Sequence, residues 1–126
     1  MRRPATLVEV ASHDESMQAF GRALVEFLDQ FYIEQDASML AAEPPALAEK
    51  LHDDGIADAY LAAVAVHLSR SIEAVPPAWT RESERFLRRP WFASPGAALR
   101  ATLLLESPAA FRERNLFVSE NALERA

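Results

Sequence analysis

The chain has 126 residues, half of them hydrophobic and a quarter charged, which fits one globular domain with a real core and excludes intrinsic disorder. It has no cysteine, so it has no disulfide framework, zinc–thiolate site or thiol nucleophile, and three glycines are too few for tight hairpins or a phosphate-cradling loop. The formal net charge of -6 is unevenly spread: residues 1–75 carry thirteen acids against five bases, residues 76–126 six against eight.

The amino terminus, MRRPATLVEV, is basic like a signal peptide, but Glu9 interrupts its apolar run, which argues against export. No apolar run approaches the ~20 residues of a membrane span, so the chain is expected to be cytoplasmic. Residues 1–11 read as an N-terminal arm. Ser12 offers a helix N-cap, with Glu15 completing a capping box. Met17, Phe20, Leu24, Phe27, Leu28 and Phe31 then recur at 3.6-residue spacing and predict an amphipathic helix to about Glu34. Residues 35–45 read as a connector with one turn around Met39 and Leu40. Pro45 suits the first turn of a short helix, ALAEKLH, with Gly55 as its C-terminal cap.

The stretch from Ile56 to Ala74, IADAYLAAVAVHLSRSIEA, organises the rest. Between Ala59 and Val66 the Tyr60 hydroxyl is its only polar group. A helix apolar all round is one surrounded by others, and its alanines keep it thin enough for close approach. Its polar ends, Asp58 and then Ser69, Arg70, Ser71 and Glu73, are expected to reach solvent. Val75-Pro76-Pro77 stops it.

Beyond the prolines, Thr80 is placed to cap a short helix through Phe86 and Leu87, which Pro90 ends. Ser94-Pro95 opens the next, with Leu99, Leu103 and Leu104 inward. Ser107-Pro108 opens one containing Phe111, and Ser119 caps a last turn through Leu123. Apart from Thr6 to Val10 nothing alternates apolar with polar, so a sheet is not expected. The prediction is an all-α single domain of five to seven helices packed around residues 56–74.

Chemistry-bearing patterns are sparse. His13-Asp14-Glu15 and His52-Asp53-Asp54 are adjacent His-Asp pairs of the kind found in helical metal-dependent phosphohydrolases. Such a site needs further ligands on other helices, and here each pair fits a polar helix end. Glu49 and His52 form a single Glu-x-x-His, whereas a carboxylate-bridged di-iron bundle needs two. His67 lies on the central helix with no acid three or four residues away. There is no nucleophile elbow, Walker loop or dinucleotide fingerprint. The chain is therefore read as non-catalytic, with no cofactor and no metal.

Arg81, Arg85, Arg88 and Arg89 precede Trp91 and Phe92, an interleaving that can grip phosphates and stack bases. A sequence pI near 5.0 opposes that use. Residues 46–68 mimic a helix-turn-helix in outline, but the second helix would present Ala, Leu, Val and acids to the groove. The same aromatic and arginine types dominate protein-binding hot spots. Trp79 and Trp91 suit either such a surface or the core, since aromatic area buried at home or in a partner looks alike in sequence.

The segments PPAWTRESERFLRRPWF and ESPAAFRERNLFVSENALERA resemble a group of small bacterial proteins. Some of those segments follow a helix-turn-helix domain. Others resemble the antitoxin member of toxin–antitoxin pairs beside a nucleotidyltransferase-like gene. The resemblance covers residues 76–126, with a looser echo in FGRALVEFLDQFY and ADAYLAAVAVHL. It implies a non-catalytic protein that binds a protein partner and offers no catalytic motif to carry over. This chain departs from the DNA-binding members in lacking a basic N-terminal helix-turn-helix.

The expected function is thus a cytoplasmic interaction module, in its sharpest form an antitoxin occluding a nucleotidyltransferase-like toxin. Arg85, Arg88, Arg89, Trp91, Phe92, Asp53 and Asp54 are the expected partner contacts. A homodimer burying the same aromatic segment is the other protein–protein reading. The alternatives are a nucleic-acid-binding regulator using the arginine-rich half and, last, a helical metal phosphohydrolase.

Overall fold

The computed structural model describes residues 3–94 and 96–124, and burial begins at Pro4, ahead of the first helix. Helix α1 (Leu7–Ala11) is opened by Thr6, whose hydroxyl accepts a hydrogen bond from the Glu9 amide, and Leu7, Val10 and Ala11 are buried. Within the stretch read as an N-terminal arm, Leu7–Ala11 thus form a helix that packs on α2 (Met17–Glu34). The spacing of Leu7, Val10 and Ala11 is helical, and the short Thr6-to-Val10 alternation masked it.

The cap of α2 is Ser16, whose hydroxyl accepts from the Ala19 amide at 3.0 Å. Ser12, the expected cap, instead donates to the Glu9 carbonyl at 2.6 Å and closes α1. The capping-box pattern thus placed the start of α2 four residues early. Phe20, Ala23, Leu24, Phe27, Leu28 and Phe31 form the buried face of α2, as predicted, and Gln35 ends it in the left-handed conformation.

The connector holds the expected turn, α3 (Ser38–Ala41), with Met39 and Leu40 buried. Helix α4 (Ala48–Leu51) is a single turn that His52 ends at φ 51°, so Gly55 is not its cap. Gly55, at φ 88°, stands at the start of α5 (Ile56–Ser71) instead. His52, Asp54 and Gly55 all adopt positive φ, which reverses the chain within four residues.

Eleven residues of α5 are buried, among them Leu61, Val64 and Leu68, so the predicted central helix is the core of the fold. Its polar ends behave differently from expectation, because Asp58 and Ser69 are buried too. The helix ends at Ile72, with Glu73 left-handed at φ 57°, before the prolines.

After Pro77 the predicted helix is replaced by two 3-10 turns, Ala78–Arg81 and Ser83–Arg85. Thr80 does not cap. Its hydroxyl turns back to the Pro77 carbonyl at 2.7 Å, and Glu82 is extended between the turns. Trp79 is core: it is buried, and its indole donates to the Leu40 carbonyl at 3.2 Å.

A two-residue parallel ladder joins β1 (Trp91–Phe92) to β2 (Leu116–Phe117), with Trp91 opposite Leu116 and Phe92 opposite Phe117. Two residues are too few for alternation to show in sequence. Helix α6 (Ala97–Glu106) follows β1 with Gly96 at its N-cap, and Ser94 makes no cap; Pro95 lies outside the described residues. Of the three leucines expected inward, Leu103 is buried while Leu99 and Leu104 are exposed.

Ser107 is buried 2.7 Å from the Leu103 carbonyl and accepts from the Val118 amide at 2.8 Å. It ties the end of α6 to the chain after β2 rather than capping α7 (Ala109–Arg112). Phe111 of α7 is fully buried against α5. The chain after Ser119 forms turns, not a helix, and Tyr32 donates to the Leu123 carbonyl at 2.7 Å. Among the described residues no helix is long and apolar enough to cross a membrane.

His67 is half-buried on α5, and burial, aided by the Arg70 charge, holds its pKa below the ordinary 6.5. The unfolded chain therefore takes up this proton at a higher pH than the folded one. Its contribution to stability is complete above pH 6.5 and is lost as pH falls through the folded value. The urea midpoint of wild type is expected to fall relative to that of His67→Gln on acidification below pH 6.5; parallel curves there contradict this.

Candidate interaction surface

The seven expected contact residues are not brought together. Arg85 ends the second 3-10 turn only 3% exposed. It donates to the Pro44 carbonyl at 2.7 Å and the Asp58 carbonyl at 3.3 Å, and its guanidinium lies 4.8 Å from the Trp79 ring centre. It is a structural tie, not a partner contact. Spacing alone could not separate it from Arg88 and Arg89, which are exposed.

Asp53 is also spent locally. Its carboxylate accepts from the Gly55 amide at 2.9 Å and the Ala57 amide at 2.7 Å, closing the start of α5. Asp54 is exposed in the reversal. Trp91 and Phe92 are half-buried. Phe92 stacks on Phe117 at 4.9 Å, with the Arg100 guanidinium 5.2 Å from its ring centre.

Two buried charged residues, Asp58 and Arg114, were not among the expected site residues. The Asp58 carboxylate accepts from the Leu47 amide at 2.7 Å and the Ala48 amide at 3.3 Å, capping α4 from a helix ten residues on, with Arg85 3.9 Å away. Arg114 donates to the Thr80 carbonyl at 2.7 Å and the Ala110 carbonyl at 3.2 Å, joining α7 to the first 3-10 turn. A lone acid opening an apolar helix is the one signal that pointed to Asp58.

The His-Asp pairs are held apart. Asp14 accepts from the Lys50 ammonium at 2.8 Å, which pulls its pKa below the usual carboxylate value, and His13 and His52 are exposed. Among the described residues no three His, Cys, Asp or Glu side chains gather as a metal-holding group. The helix-turn-helix outline dissolves as well, because α4 is one turn and α5 is enclosed.

The described surface has concavities as well. One, about 380 Å³, is lined by Glu43, Pro44, Pro45, Ala46, Asp58, Glu82, Glu84 and Arg85. Its charges face each other. A hydrogen bond between Glu43 and Glu82 lowers the pKa of the first and raises that of the second, while Arg85 sits behind them. This is scaffolding with an acidic mouth.

Another, about 230 Å³, is an apolar groove. Met17, Phe20, Gly21, Leu24, Val25 and Leu28 of α2 form one wall and Ile56, Ala57 and Tyr60 of α5 the other, with Trp91, Ala122 and Leu123 across the end. Met17 and Val25 are exposed at its rim. The Tyr60 hydroxyl is its one titratable group, and burial raises that pKa above 10.0. Such a lining can bury apolar side chains; it offers no acid–base pair and no nucleophile.

Gly21 sits within α2, where a Cβ would meet no atom within 4 Å. Packing inside the chain therefore gives no reason for glycine, which costs a helix interior roughly 0.5–1 kcal/mol against alanine. Gly21→Ala is expected to raise stability by about that amount, read as a higher urea midpoint at unchanged slope. A lower midpoint contradicts the open space at this position.

Compared with protein-family models, with curated proteins and with solved structures, the chain matches none of them. Its class rests on its own geometry: a small all-α domain with an apolar groove between α2 and α5.

Proposed function

We propose that the protein is a non-catalytic protein-interaction module. The observation that carries this reading is the apolar groove between α2 and α5, open at Met17 and Val25 and floored by a helical glycine. Grooves of this kind receive an amphipathic helix, with apolar anchors setting the lifetime of the complex. The acidic excess of residues 1–75 would speed the approach of a basic partner. The sharper form, an antitoxin occluding a nucleotidyltransferase-like toxin, draws on the resemblance of residues 76–126.

The nucleic-acid alternative is weakened by Arg85 and Arg114, which turn inward and leave the arginine-rich segment fewer outward cations. Affinity capture of tagged protein, followed by reconstitution of any captured protein from purified components, tests the module. A one-to-one complex lost in Val25→Glu is the expected result. A complex untouched by Val25→Glu, or binding to mixed DNA and RNA with a steep salt slope, would overturn the reading.

A further inference from the structure

Three features have no use within a single chain. Gly21 opens the wall of α2 although nothing of its own chain fills the space. The groove beside it is apolar and uncovered. Helix α6, AALRATLLLE, carries charge only at Arg100 and Glu106, yet buries only Leu103 among its leucines, leaving Leu99 53%, Leu104 47% and Leu105 83% exposed. A helix so apolar is one that other helices surround.

We propose that α6 of a second copy of this chain occupies the groove, crossing α2 at Gly21 with Leu104 and Leu105 as its anchors. The inference rests on the interaction-module reading and names the partner. Ala101 and Leu105, four apart, share the outward face of α6, opposite the inward Leu103. Small residues at a crossing point let helix axes approach closely, and Ala101 over Gly21 is such a pair. The chain's own α6 contributes no residue to the groove, because Ser107 and the Arg100–Phe92 contact hold it against β1 and the chain around β2.

Charge favours the same occupant. Both helical walls of the groove belong to the half with a balance of -8 and α6 to the half with +2, so the two halves attract each other across the pair. In a twofold pair each groove and each α6 is used once, so the assembly closes without free ends.

Sedimentation equilibrium of wild type, Gly21→Leu and Leu105→Glu tests this. Both variants should fold, since Leu105 is exposed and a Cβ at Gly21 meets nothing; circular dichroism melts check that. Wild type is expected to be dimeric at tens of micromolar, and each variant to weaken the dimer at least about 100-fold. Position is read by disulfide trapping, which the cysteine-free chain permits. An equimolar mixture of Gly21→Cys and Ala101→Cys should cross-link under mild oxidant, and neither variant alone.

A wild type that stays monomeric over that range, or a dimer indifferent to Gly21→Leu, overturns the proposal. If that monomer still takes another protein through the groove, the module reading stands without self-pairing. If it takes none, both fail.

Discussion

Arg85→Ala is expected to cost about 3–5 kcal/mol, a large share of the roughly 5–15 kcal/mol that holds a domain of this size together. The guanidinium satisfies the Pro44 and Asp58 carbonyls, lies over Trp79 and faces the buried Asp58 carboxylate. Alanine leaves the buried Pro44 carbonyl without its Arg85 donor, a carboxylate without its cation, and a void beside an aromatic ring. Each is a named route to large destabilisation, and they coincide at one position.

The pH dependence of the loss tests the mechanism. Burial already holds the Asp58 pKa above the ordinary 3.8, with Arg85 opposing the rise. Removing Arg85 raises that pKa further. The folded variant then binds the Asp58 proton more readily than the unfolded chain, so stability rises as pH falls through the folded value. The gap between wild type and Arg85→Ala should accordingly narrow on acidification. A urea midpoint within the error of wild type at pH 7 would mean that Arg85 is a bystander.

Phe111→Ala is the second large effect, expected at about 3–5 kcal/mol. Phe111 is fully exposed to core and not to water, meets Tyr60 edge-on at 5.0 Å, and anchors a helix of one turn to α5. A four-residue helix has no intrinsic stability, so its position depends on this side chain. The lost area and the cavity both count, because alanines on the facing α5 cannot rotate to fill it. Chemical denaturation measures the loss. A cost below about 1 kcal/mol would show that α7 can collapse onto α5.

What was legible in sequence, and what was not, divides by distance along the chain. Phe20 to Phe31 announced their helix because a 3.6-residue period is local. The run around Val64 announced burial because nothing in it could face water. The proline pair at Pro76 and the turn at Met39 and Leu40 were equally local. Caps were misplaced wherever two candidates stood within a turn: Ser12 against Ser16, Gly55 against His52. Those choices turn on single φ angles set by what the next helix packs against.

The site was hardest to read. Arg85, Arg88 and Arg89 are indistinguishable by type and spacing, yet one is sealed in the core and two face solvent. Trp79 and Trp91 likewise share a chemistry and differ in place, one bonded to Leu40, the other lining the groove. The groove itself is made from residues as far apart as Met17 and Leu123, on α2, α5, the strand segment and the last turns, so no window of sequence contains it.

By itself, then, the sequence determined an all-α domain, its central helix and the buried face of α2, because propensity and period act over a few residues. Only the tertiary structure decided that Asp58 caps α4, that Arg85 and Arg114 turn inward, and that Gly21 opens onto a groove while α6 lies bare. Those outcomes depend on which distant carbonyl or ring reaches a side chain first when the chain closes. Pairings of that range leave no periodic trace.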